Sequence, residues 1–214
     1  MADLLRRKLS ARKARLFICA CCRRIWHLFT AEVQAALVTV ENYADGLADR
    51  EQLRGALRLV QKARSTAPPD SKWEKALTAA CKAASEKLTD GPWSAAWDTI
   101  HAAVSGARSG QTPNMEESAV LLRRACAARC DLLRDLVSPF RTIRLEPAWL
   151  TWNDACVVKL AQAIYEEHRF ADLPILADAL ADAGCTDPIL LEHCRGPGPH
   201  VRGCVVLDLL LDKG

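Results

Sequence analysis

Apolar residues recur at helical spacing along almost the whole chain, and no strand pair is predicted. At about 100° per residue, Phe17, Cys21, Ile25 and Leu28 share one broad face of a first helix over 10–29. Arg23, Arg24 and His27 lie toward its other side. Thr30 is placed to cap a second helix, AEVQAALVTVENYADGL, which Gly46 stops. Asp49 caps a third, REQLRGALRLVQKARS, closed by TAPPD. Ser71 and Glu74 have the spacing of a capping box at the head of a fourth. Pro92 suits the first turn of PWSAAWDTIHAAVSGA, and the polar loop RSGQTPN follows it.

A long helix is predicted over 115–137, and SPFRTIRLEP, with two prolines, leaves it in extended form. After AWLTWND, Thr151 or Asn153 caps DACVVKLAQAIYEEHRF. LPILADALADAG and DPILLEHCR form two short helices, and CVVLDLLLDK closes the chain as a buried one. The pattern gives an all-α fold, a compact bundle of about nine or ten helices with short connections. It reads as a single helical domain over 1–214, in which 1–66 and 139–214 pack together and alanine-rich helices within 70–137 extend the bundle.

Composition changes this picture little. The 214 residues are 50% hydrophobic and 26% charged, enough for a sizeable core without disulfides or metal. A net charge of +3 is too mild to require a nucleic-acid partner. The charge is uneven, however: Arg6, Arg7, Lys8, Arg12, Lys13, Arg15, Arg23 and Arg24 crowd the first helix against Asp3. Such a run is a solvated face or a contact for phosphate or an acidic protein. LFICACC is apolar but short, and it runs into RRIWH rather than a cleavage site, so no secretory signal is read. No window reaches the roughly 18 apolar residues of a membrane span, and a cytoplasmic location follows. There, ten cysteines are expected as free thiols or ligands.

RLFICACCRRIWHL near the start, and PAWLTWND through LPILADALADAGCTD to HCRGPGPHVRGC near the end, resemble a large paralogous family of uncharacterised planctomycete proteins. The resemblance covers roughly the first 50 and last 80 residues. Val205 stands where that family usually shows Trp, and Ser138 precedes Pro139 where it shows Asn. The resemblance implies a family but no activity, and it brings no catalytic residue with it.

Two constellations carry chemistry. Cys19 and Cys22, three apart on the first helix, diverge by about 60° and could share one ion. Cys194, His200 and Cys204 are separated by a turn that glycine and proline fold tightly. With the termini packed together, Cys19, Cys22 and two of those three would form a tetrahedral zinc site. Against this stands burial of cysteine as a small hydrophobe; Cys126 and Cys130, beside Leu122 and Leu133, read as an internal stripe. Arg195 and Arg202 flank the glycines of the turn and form either an anion-binding nest or a neutralised helix end. A Cys204–His200 pair oriented by Asp208 is a nucleophilic arrangement the spacing allows, but helix starts often hold such residues for capping.

The leading functional reading is a helical binding or regulatory module without catalysis of its own, meeting another protein. Arg12, Arg15, Arg23 and Arg24, with Arg195 and Arg202, are its candidate anion or partner contacts. The alternatives are a zinc-binding module joining the two termini, and a nucleic-acid-binding accessory protein that uses the basic first helix.

Overall fold

In the computed structural model, residues 9–88, 91–106, 115–137 and 144–213 are described. They form ten α-helices and two short 3-10 helices, with no strand among them. The helices are α1 Ala11–Arg23, α2 Ala31–Ala44, α3 Arg50–Ser65, α4 Lys72–Ala84, α5 Gly91–Gly106, α6 Met115–Leu136, α7 Pro147–Glu166, α8 Leu173–Asp182, α9 Pro188–Arg195 and α10 Val205–Leu210. The fold is therefore the all-α bundle the hydrophobic pattern predicts. The chain divides into two compact units, one spanning Leu9–Cys130 and the other containing Asp131–Gly214. That division falls inside α6 rather than at either boundary of the alanine-rich middle.

In the first unit α1 is the central helix, packed against α2, α4 and α5. Nine consecutive residues, Ala14 to Cys22, are buried, so every side of this helix is covered rather than one stripe. Ala76, Ala79, Ala80, Ala83 and Ala84 of α4 are buried with it, their small side chains allowing close approach. The helix ends at Arg23, short of the predicted 29. Arg24 and Ile25 donate back to Cys21 and Cys22 in a tightened last turn, and a 3-10 helix follows at Trp26–Leu28.

Most caps follow the local chemistry. Asp49 and Gln52 form a complete capping box at α3. Ser71 caps α4, but the Glu74 carboxylate takes the N–H of Asp70 rather than that of Ser71. Thr30 occupies the N-cap of α2 without a side-chain bond to the helix backbone, and Gly46 turns the chain after that helix at φ +74°. The RSGQTPN loop, the SPFRT stretch and Arg6, Arg7 and Lys8 lie outside the described residues.

In the second unit α7 packs against α8 and α10, and α8 against α9. Trp149, Ile164, Tyr165, Leu176, Leu190 and Leu207 are among its buried residues. The helix α7 is interrupted where a cap was predicted at 151 or 153. Trp152 is extended, and Asn153, Asp154 and Ala155 have φ of 46°, 57° and 57°. Asn and Asp tolerate this left-handed region, whereas alanine is strained in it.

Candidate metal centre

The segment after α8 is built to return the chain tightly. Asp187 accepts the N–H of Ile189 and Pro188 opens α9, which places His193 in its last turn. Gly196 ends the helix, its N–H bonded to the carbonyl of Glu192. A Cβ there would press on that carbonyl at 3.2 Å. Gly198 stands at φ +77°, and a Cβ on it would lie 2.9 Å from the backbone nitrogen of His200. Glycine at 198 is thus what lets the turn bring His200 back toward α9. Cys204 then occupies the N-cap of α10.

Four side chains converge: Asp135 from the last turn of α6, His193, His200 and Cys204, with one potential ligand atom from each, all within 4.8 Å of one another. His200 Nδ1 lies 2.7 Å from Asp135 Oδ1. His193 Nε2 lies 3.2 Å from the same oxygen and 3.1 Å from Cys204 Sγ. The two imidazoles are tilted, with centroids 5.0 Å apart. A tetrahedral zinc with Zn–N, Zn–O and Zn–S bonds of about 2.0–2.3 Å separates its ligand atoms by about 3.3–3.6 Å, so an ion would open the 2.7 Å His200–Asp135 contact and draw the widest pair, at up to 4.8 Å, inward.

The outer contacts fit the same reading. Val201 N–H donates to Asp135 Oδ2 at 2.9 Å, which leaves Oδ1 facing the cluster. His200 Nε2 sits 3.4 Å from the carbonyl of Gly196, fixing the ring with Nδ1 inward.

Electrostatics makes the cluster unusual without an ion. Burial disfavours the Asp135 charge, but hydrogen bonds from His193 and His200 hold its carboxyl below the usual range. Burial opposes charge on His200 as well, yet the Asp135 hydrogen bond and charge raise it overall. Cys204 is wholly buried, and burial with the Asp135 charge pushes its thiol well up, against the Val206 and Leu207 backbone N–H groups. The imidazole within hydrogen-bond reach of its sulfur is that of His193, at 3.1 Å.

The sequence-predicted ligands divide. His200 and Cys204 belong to the cluster. Cys194 is buried beside it but is not a member, its thiol pushed up to about 12 by burial. Cys19 and Cys22 lie in the core of the first unit, where burial pushes both thiols well above the ordinary range. Neither belongs to any such group among the described residues. Cys130 is exposed and Cys126 half-buried, so they are no internal stripe. The buried face of α6 instead carries Arg129, Leu132, Asp135 and Leu136.

The candidate arginine contacts are largely engaged within the fold. Arg12 pairs with Asp45. Arg15 is buried and bonds the carbonyls of Ala83, Ser85 and Glu86, capping the C-terminal end of α4. Arg23 makes a two-pronged pair with Glu41. Arg24 is exposed. Arg195 pairs with Asp178, and buried Arg202 lies 5.5 Å over the Tyr165 ring. A free anion nest flanked by both arginines of the turn is not what these contacts describe.

Two members of the cluster escape sequence reasoning. His193 looks inert because adjacent helical residues diverge, which separates it from Cys194 but says nothing of Cys204 eleven residues on. Asp135 carries a readable signal, an acid between Leu132 and Leu136 on one face of the helix. No helix is long and apolar enough to cross a membrane among the described residues. Comparison with protein-family models, with curated proteins and with solved structures returns no match.

Proposed function

We propose that this chain is a metal-binding module whose C-terminal unit holds one zinc ion through Asp135 Oδ1, His193 Nε2, His200 Nδ1 and Cys204 Sγ. The observation that carries the reading is the convergence of four ligand atoms around one point. An ion at the centre would engage all four ligand atoms at once. One thiolate, two imidazoles and one carboxylate form a donor set suited to zinc and unlike the all-oxygen sets of calcium or magnesium. Ten free cysteines suit a reducing compartment, and we place the protein in the cytoplasm.

The ion would tie the end of α6 to α9, the glycine-proline turn and the start of α10. The module's role would then be to present a metal-fixed helical surface. Docking through the basic first helix has less support, because Arg12, Arg15 and Arg23 have partners within the fold.

Competition titration of the full chain against a chromophoric zinc chelator tests the proposal. The wild type is expected to bind about one zinc, and His193→Ala and Cys204→Ala to bind at least tenfold more weakly. Binding unchanged in both variants contradicts it.

A further inference from the structure

The four ligands are not equally covered. Cys204 is fully buried, while the side chains of His193 and His200 keep 19% and 10% of their surface. On their side lies a pocket of about 200 Å³, lined by Asp131, Arg134, Asp135, Glu192, His193, His200 and the 196–199 turn. Cys204 is not part of that lining. The thiolate therefore forms the back of the centre, and the two imidazoles and the carboxylate form a face that opens on a space with room for water. Residues 196–199 are Gly-Pro-Gly-Pro, so this edge of the mouth carries no long side chain to cover an ion.

Resting on the metal-binding reading above, we infer that an ion held by Asp135, His193, His200 and Cys204 accepts an exchangeable fifth ligand from this pocket, a water that a small monoanion displaces. Zinc, a d10 ion without a fixed geometric preference, expands in some sites from four to five ligands, and an accessible face is what that expansion requires. Charge selects among ligands. A dication is neutralised by the Cys204 thiolate and the Asp135 carboxylate. The rest of the lining adds two carboxylates, Asp131 and Glu192, against the guanidinium of Arg134. A site with that balance repels a dianion such as phosphate and tolerates a neutral or singly charged ligand.

The test is the visible absorption of the full chain loaded with cobalt(II), titrated with azide and separately with inorganic phosphate. A saturable shift of the cobalt bands with azide, with cobalt retained on dialysis and no response to phosphate, is the expected result. Bands that form but do not respond to azide overturn the fifth-ligand inference and leave the metal site standing. Azide that releases cobalt, or a response to phosphate alone, also overturns it. Absence of any cobalt bands removes the metal site itself and this inference with it.

Discussion

Replacing Arg23 by alanine separates a structural role for the basic first helix from a partner-binding one. The guanidinium holds Glu41 through two bonds of 2.6 Å and lies 4.8 Å from the Trp26 ring centroid. The Glu41 side chain is only 2% exposed, whereas that of Arg23 is 36% exposed. Truncation would strand a carboxylate in the core of the first unit. Breaking a buried pair from one side costs about 3–5 kcal/mol, and because water reaches the arginine end, the lower figure applies. A loss of about 3 kcal/mol corresponds to a melting temperature lower by roughly 6–12 °C for a chain of this size. Thermal and urea unfolding followed by circular dichroism, on the wild type, R23A, E41A and the double variant, measures it. The double variant carries no stranded charge and should be less destabilised than the sum of the singles, with a coupling of about 1–3 kcal/mol. A change in R23A below about 0.5 kcal/mol, typical of a surface position, would refute the reasoning.

Other consequences concern the second unit. Gly198→Ala places a Cβ 2.9 Å from the His200 nitrogen at a φ of +77°, so zinc affinity should fall at least tenfold in a chelator competition. Ala155→Gly relieves a left-handed alanine at φ 57° and should stabilise the protein by about 1 kcal/mol in urea unfolding. Zinc must displace the proton that burial keeps on Cys204, so calorimetry in buffers of differing ionisation heat should show about one proton or more released per ion near neutral pH.

Local chemistry made the helices legible, and tertiary context hid much of the site. Asp49 with Gln52, Ser71 and Asp187 act at helix starts through contacts within three residues, and such contacts are visible in a sequence. The end of α1 is set by the tightened turn at Arg24 and Ile25, which the 3.6-residue period does not register, and that period also suggests one covered face where Ala14 to Cys22 are covered on every side. On α6 the apolar appearance of Cys126 and Cys130 outweighed the charge of Asp135. What makes burial of Asp135 tolerable is His193 and His200, the latter 65 positions away in the chain. His200 and Cys204 were legible from the spacing around the turn; His193 and Asp135 became ligand candidates only once α6, α9 and α10 were brought together.

The central claim is an ion held by four residues of one unit. Its most direct measurement is the zinc content of full-length protein isolated without an affinity tag, for the wild type, Asp135→Asn, and Cys19→Ser with Cys22→Ser. The account predicts about one equivalent in the wild type and in the double cysteine variant, and a large loss in Asp135→Asn. Fewer than about 0.2 equivalents in the wild type, or loss of zinc from the Cys19 and Cys22 variant with retention in Asp135→Asn, would contradict it.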